Sequence, residues 1–209
     1  MKLTVFGGTG GVGSRLIPMA LDAGHFVTAM ARNPATLPKH PALTVVEGEL
    51  SDFGAVSKAI AGADAVLSAL GARKNTADQV GVFGGAMENI TRAMREHGVE
   101  RLVTISGAGV LLPGDHVTLG RRVIRAMLFL VAKHVAMAKE REAEIVRASN
   151  LQWVLVRPPR IVSGPATGKY RVFPDRVPSP KISQGDVADL MLKCAAEPDW
   201  IQRAPIPGY

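Results

Sequence analysis

Three glycines, Gly7, Gly10 and Gly13, recur at every third residue within Val5-Phe6-Gly7-Gly8-Thr9-Gly10-Gly11-Val12-Gly13-Ser14. The spacing suits the binding of a pyrophosphate. Gly7 would let the chain turn tightly out of a strand. Gly10 would remove a side chain where backbone must approach phosphate, and Gly13 would let a helix pack close to a sheet. A helix that starts here aims free N–H groups and the positive end of its dipole at the anion. Glycines alone are a weak signal. The apolar run Leu3–Phe6 before them and the helix-like run Arg15–Leu21 after them supply the context that the motif requires.

Other residues with chemical potential fall at the ends of later apolar runs. Arg32 follows the second. A site that accepts ribose hydroxyls places an acid there, whereas a guanidinium matches a 2′-phosphate, so Arg32 predicts NADP(H) in preference to NAD(H). Glu49 and Leu50 follow the third run and are assigned to the adenine end of the cofactor. Ser106 closes the fifth, and Pro158-Pro159-Arg160 leaves the sixth. No metal-binding set is apparent.

The elements that must position these residues alternate between apolar runs and amphipathic stretches, which predicts parallel βαβ units. Strands are expected at Lys2–Phe6, Phe26–Ala31, Leu43–Glu47, Ala65–Leu70, Arg101–Ile105 and Gln152–Val156. Helices are expected from the glycine run to about Ala23, over Asp52–Ile60 with Ser51 as cap, over Gln79–Glu96, and from about Leu119 to Ala148 with one break. A last helix, Asp186–Ala196, follows a capping box at Ser183. The predicted fold is α/β: a single Rossmann-like domain over residues 1–209, with a doubly wound parallel sheet and helices on both faces. Its ligand lies outside the C-terminal strand ends, where chain direction switches. The Gly- and Pro-rich stretch at about 158–183, with a strand-like run at Lys169–Phe173, is expected to cover the substrate.

Composition narrows the classes. The 209 residues suffice for one sizeable core, and 47% apolar with 21% charged residues is ordinary for a globular chain. The single cysteine, Cys194, excludes an internal disulfide and fits a reducing cytoplasm. No signal peptide is expected, since Met1 runs straight into the first strand. The apolar stretch Val123–Ala138 is interrupted by Arg125 and Lys133 and falls short of a membrane span. It is expected to be a helix buried against the fold or a partner subunit. The net charge of +7 would draw in a polyanionic cofactor, and no nucleic-acid recognition motif accompanies it.

The glycine run, Arg32 and Leu70-Gly71-Ala72-Arg73 together resemble the short-chain dehydrogenase/reductase superfamily. More narrowly, the chain is similar to the atypical, NmrA-like branch and, within it, to the biliverdin-IXβ reductase (NADPH-flavin reductase) family. Arg157–Ile161, Thr167–Tyr170, Ile182-Ser183 before Asp186, and Tyr209 extend the likeness over nearly the whole chain. The resemblance implies that Gly7, Thr9, Gly10, Gly11, Val12 and Gly13 hold the pyrophosphate and Arg32 the 2′-phosphate. It implies that Leu70, Gly71 and Arg73 line the path to the nicotinamide, with Ser106 beside it and Pro158 and Pro159 bounding its pocket.

Two departures refine this. The superfamily's YxxxK motif supplies a tyrosine proton donor and a lysine. Here Val135-Ala136-Met137-Ala138-Lys139 keeps the lysine and puts valine in the tyrosine's place, so no phenol is available as general acid. Arg160 stands where the biliverdin-IXβ reductases carry histidine, and it can attract an anion but not exchange a proton near neutral pH. Reducing a simple ketone calls for a placed acid, whereas a conjugated acceptor delocalises the charge and takes its proton from solvent. The expected activity is therefore NADPH-dependent reduction of a flavin, quinone or tetrapyrrole-like acceptor. Ser106 would orient the substrate, Lys139 would act as ribose or electrostatic ligand, and Arg160 as substrate anchor. A non-catalytic NADP(H) sensor of NmrA type is the alternative, and a nucleotide-sugar epimerase or dehydratase a third. The expected setting is cytoplasmic: a monomer or homodimer acting on a small molecule, with neither nucleic acid nor membrane as partner.

Overall fold

In the computed structural model, which describes residues 1–71, 74–115 and 117–209, six parallel strands form the central sheet. These are β1 (Lys2–Phe6), β2 (Phe26–Ala31), β3 (Leu43–Glu47), β4 (Ala65–Ser68), β5 (Arg101–Ile105) and β6 (Gln152–Val156), in the order β3-β2-β1-β4-β5-β6. Order reverses between β1 and β4, whose registers pair Leu3 with Ala65 and Phe6 with Ser68. This opens a crevice at the carboxyl ends of β1 and β4, where a doubly wound sheet binds its ligand.

The helices cover both faces. One core cluster joins α1 (Gly13–Asp22) and α6 (Gln184–Ala196) to the sheet through Leu16, Ile17, Val187 and Met191. The other joins α2 (Phe53–Ile60), α3 (Asp78–Glu96) and α5 (Lys133–Ala148) through Val56, Met87, Ile90 and Val146. The central strands are buried on both faces and read as continuous apolar runs for that reason. Cys194 is buried in α6, and burial there pushes its thiol up to about 12.

Several expectations need correction. Asp52, not Ser51, caps α2: its carboxylate accepts the Ala55 N–H at 3.2 Å, and the helix begins at Phe53. β4 stops at Ser68 rather than Leu70. The break in the predicted 119–148 helix falls at Ala132, which separates α4 (Leu119–Val131) from α5. α4 is not buried against its own fold, one of the two settings its composition suggested: Arg121 is its one buried side chain. It rests on the loop after β5, where Gly109 leaves room for Leu128, and reaches α5 through Arg125 and Glu140. No helix among the described residues is long and apolar enough to cross a membrane.

The 158–183 stretch is tied down rather than loose. It forms β7 (Arg160–Val162), β8 (Arg171–Phe173) and β9 (Lys181–Ser183), and β8 pairs with a strand the sequence did not suggest, β10 (Ile206–Gly208). The buried Asp186 organises it. Its carboxylate accepts from the N–H groups of Thr167 (2.7 Å) and Gly168 (2.9 Å), the Thr167 hydroxyl (2.8 Å) and the Tyr209 hydroxyl (2.6 Å). Burial pushes that carboxyl's pKa up, but the Tyr209, Thr167 and Gly168 hydrogen bonds outweigh it and hold it below the usual range. Ser183 caps α6 by accepting the Asp186 N–H at 3.0 Å, but the box is not closed: the Ser183 N–H bonds the Tyr209 hydroxyl at 3.2 Å instead of the Asp186 carboxylate, and α6 starts earlier, at Gln184.

Candidate cofactor cradle and active site

Residues 7–13 leave β1 and turn into α1. Gly7 has φ +78°, and a Cβ there would meet Ala69 backbone at 2.8 Å. A Cβ on Gly13 would lie 2.1 Å from the Gly7 carbonyl oxygen, and one on Gly10 would lie 3.2 Å from it. Gly7 and Gly13 thus admit only glycine without a backbone shift. α1 begins without a side-chain cap. Among the described residues the N–H groups of Gly11, Val12 and Gly13 find no protein acceptor, while Gly10 N–H bonds Gly7 O at 2.9 Å. Unsatisfied donors at a helix start, in a cradle too tight for side chains, are a fit for the pyrophosphate of a dinucleotide.

A cavity of about 280 Å³ lies at the carboxyl ends of β4 and β5. Leu70, Gly71, Ile105, Ser106, Val135 and Lys139 form its floor and walls. Ser106 N–H bonds Val156 O at 2.8 Å, which fixes the residue between β5 and β6. Its hydroxyl is buried and has no partner among the described residues. A buried, unpaired hydroxyl is costly unless a ligand completes it, so Ser106 fits a polar group such as a nicotinamide or substrate oxygen.

Lys139 is held on α5, one helical turn beyond Val135, so both side chains face the cavity. Its ammonium spends its donors on Leu70 O (2.9 Å), Ile105 O (2.6 Å) and Glu142 Oε2 (2.7 Å). Glu142 is buried, and its other oxygen accepts the Thr104 hydroxyl at 2.5 Å. Lys139 therefore ties the chain leaving β4 to the end of β5, and Glu142 neutralises it. Val135 puts an apolar surface where a phenol would stand, in agreement with the sequence.

The cover is α4, which contributes Arg125, Leu128 and Phe129; Arg125 pairs with Glu140 across the rim, and its guanidinium stacks on Phe129, 4.7 Å from the ring centre. Of the 158–183 stretch, Ile161 lines this cavity. Arg160 is exposed at the start of β7, outside the cavity wall, and Pro158 is buried with its carbonyl accepting the Ala108 N–H at 2.9 Å. Pro159 is half-buried.

Arg32 lies exposed just past β2, next to Asn33, which caps a short turn at Pro34–Thr36. Glu49 is exposed after β3, and the carbonyl of Leu50 accepts the Asn89 amide at 2.8 Å. Arg73 and His116 lie outside the described residues.

A larger recess of about 650 Å³ sits at the outer edge of β6 and includes neither Ser106 nor any cradle residue. Arg157 forms part of its wall and is fully engaged, bonding Asp115 at 2.5 Å, Ala204 O at 2.7 and 2.9 Å and Pro174 O at 3.1 Å. Arg121 reaches the same Asp115 oxygen at 2.9 Å. Burial raises the Asp115 pKa, but the Arg157 bond, the Leu112 N–H and Arg121 hold it below the usual range. These residues brace the loop after β5.

Sequence reasoning missed Glu142, Thr104, Asn75 and Gln184. Asn75 Oδ1 accepts the His134 N–H at 2.9 Å and so positions the start of α5. The Gln184 amide lies against Gly11, where a Cβ would come within 2.3 Å of it. A Glu three residues after Lys139 was the one available signal; the other contacts span the chain.

The profile of the NAD(P)H-binding family matches residues 7–198. A 3β-hydroxysteroid dehydrogenase/Δ5→4-isomerase of Mycobacterium tuberculosis is 32% identical over 129 residues, which is 57% of this chain and 35% of that protein. The chain thus spans about a third of that relative's length. Among solved structures, a Burkholderia pseudomallei protein superposes with TM-score 0.81 at 28% identity over 100% of both chains. The anaerobilin reductase ChuY of Escherichia coli O157:H7 shares the fold, with TM-score 0.78 at 19% identity over 99% of this chain and 96% of that one. The cradle, the crevice between β1 and β4 and the family match lead to one conclusion: this chain belongs to the NAD(P)H-binding family, an oxidoreductase-like group with a Rossmann fold.

Proposed function

We propose that this protein is a cytoplasmic NADPH-dependent reductase of the NmrA-like, biliverdin-IXβ reductase type, which transfers hydride to a conjugated small molecule such as a flavin, quinone or tetrapyrrole. The observation that carries the reading is the pairing, in one cavity, of the unpartnered Ser106 hydroxyl with Val135 in the place of a proton-donating phenol. The bound cofactor supplies the hydride. The free N–H groups of Gly11, Val12 and Gly13 hold its pyrophosphate, and Arg32 holds the 2′-phosphate that distinguishes NADP from NAD. Ser106 donates to the acceptor's polar edge and sets its face toward the cofactor. Lys139 keeps the ends of β4 and β5 at fixed separation, and Leu70, Ile105 and Val135 exclude water from the path. The acceptor gains the hydride's two electrons and one proton, and solvent delivers the second proton.

The test is NADPH oxidation, followed optically, against FMN, riboflavin and a panel of quinones, with NADH in parallel. Turnover with NADPH on one acceptor supports the reading. Tight NADPH binding without turnover on any acceptor favours the sensor. One observation speaks for the sensor: the Lys139 donors are all taken by protein groups, which leaves none for a substrate.

A further inference from the structure

α4 turns its apolar side outward. Leu119, Val123, Met127, Leu130 and Val131 are exposed, Leu119 at 77%, Met127 at 61% and Leu130 at 87%. Their spacing of i, i+4, i+8, i+11 and i+12 puts them on one face. The opposite face carries Arg121, bonded to Asp115, and Arg125, paired with Glu140. Core packing would put the apolar stripe inward and the arginines out; here the order is reversed. A contiguous apolar face of this kind on a folded chain calls for an occupant.

Charge decides which. No Asp or Glu occurs between Asp115 and Glu140, and arginines already take both of those acids. Arg122 on α4 and Lys133 at the start of α5 are exposed. Lys74 is also exposed, next to Asn75, whose amide bonds Val131 O at 3.2 Å at the end of α4, but its charge is shared with Asp78. A second copy would bring Arg122 and Lys133 against their own likeness, and Asp115 and Glu140, which flank that stretch, are already paired within the chain. An anionic lipid surface meets both halves of the face: headgroups take the cations, and the acyl boundary takes the stripe.

We propose that α4 lies on an anionic lipid surface with Leu119, Val123, Met127, Leu130 and Val131 inserted at the headgroup boundary. Its 13 residues are too few to span a bilayer, so the contact is peripheral. The sequence expectation of no membrane partner rested on the lack of a span and stands only in that sense. The docking does not depend on the reductase reading. Combined with that reading, it favours a lipid-soluble acceptor such as a quinone, because the inner face of α4 covers the cavity through Arg125, Leu128 and Phe129.

Co-sedimentation of the full chain with vesicles tests this, without any turnover. Vesicles of phosphatidylcholine and phosphatidylglycerol in equal parts should bring the protein down. Phosphatidylcholine alone should retain at least about tenfold less, and added salt should narrow the gap. Met127→Ser/Leu130→Ser should cut binding about tenfold, with thermal midpoint and NADPH affinity unchanged, since both side chains are exposed. Arg122→Ala/Lys133→Ala should remove the preference for the anionic vesicles. The proposal is overturned if the mixed vesicles retain nothing, or if the serine variant binds as well as the parent. A dimer in light scattering that the serine variant splits, with no vesicle binding, would assign the face to a second copy instead. Turnover without vesicle binding would sink the docking and leave the reductase reading intact; vesicle binding without turnover would do the reverse.

Discussion

Arg32 and Ser106 carry the sharpest consequences for single residues. Arg32 is exposed past β2 and forms no salt bridge among the described residues, so its guanidinium is available to a phosphate. Arg32→Ala should weaken NADPH binding by roughly tenfold to a hundredfold, the scale of a hydrogen bond to a charged group, and change NADH binding less than twofold. Titration calorimetry with both cofactors checks this, and equal losses would remove Arg32 from the 2′-phosphate site. Ser106→Ala deletes a buried hydroxyl that no group among the described residues satisfies. It should leave NADPH affinity intact and lower kcat by about tenfold on the accepted substrate, the signature of a contact made in the reaction rather than in binding. The place of Arg32 just past β2 was legible from the apolar run before it. The isolation of the Ser106 hydroxyl was not, because it depends on Val156 and the β5–β6 register.

At the scale of elements, Lys139 and Glu142 join α5 to the sheet. The ammonium bridges Leu70 O and Ile105 O, and the buried Glu142 balances its charge while accepting from Thr104. Removing one partner strands the other. Lys139→Ala should cost about 3–5 kcal/mol in urea unfolding, and Lys139→Met/Glu142→Leu should recover most of that. A lysine that served only as a cofactor ligand would show neither effect. The motif register identified Lys139 but not this role. A lysine four residues after a valine on a helix reads the same whether it faces a ribose or two carbonyl oxygens. α4 teaches the same lesson. Its period of apolar residues was visible, but which face met the protein was decided by Gly109, Asp115 and Glu140.

Across the whole molecule, two carboxylates hold the periphery to the sheet. Asp186 gathers Thr167, Gly168, Ser183 and Tyr209, and Asp115 joins Arg121 to Arg157. Both have a folded pKa below the ordinary carboxylate value. Their contribution to stability is therefore complete above the unfolded-state pKa, about 4, and is lost as pH falls through the lower folded value. The thermal midpoint should hold from neutrality to about pH 5 and fall steeply below about pH 4, more so than in Asp186→Asn, which gives up part of that dependence at the outset. A midpoint indifferent to pH in this range, or the same slope in the variant, would show that these carboxylates do not anchor the fold.

By itself the sequence determined the α/β class, six strands with near-correct bounds, the glycine cradle and the absence of a phenol at Val135. These are local properties: hydrophobic period, glycine spacing and residue identity at a fixed register. The tertiary structure alone decided that Lys139 is a strand clamp, that Asp186 ties the 167–168 turn to Tyr209, that β10 completes β8, and that α4 covers the cavity with its apolar side to solvent. Each of these depends on a partner far along the chain or on which side of a helix meets the sheet. A periodic pattern gives a helix its two faces but not which of them is turned inward; that is settled only when the neighbouring elements arrive.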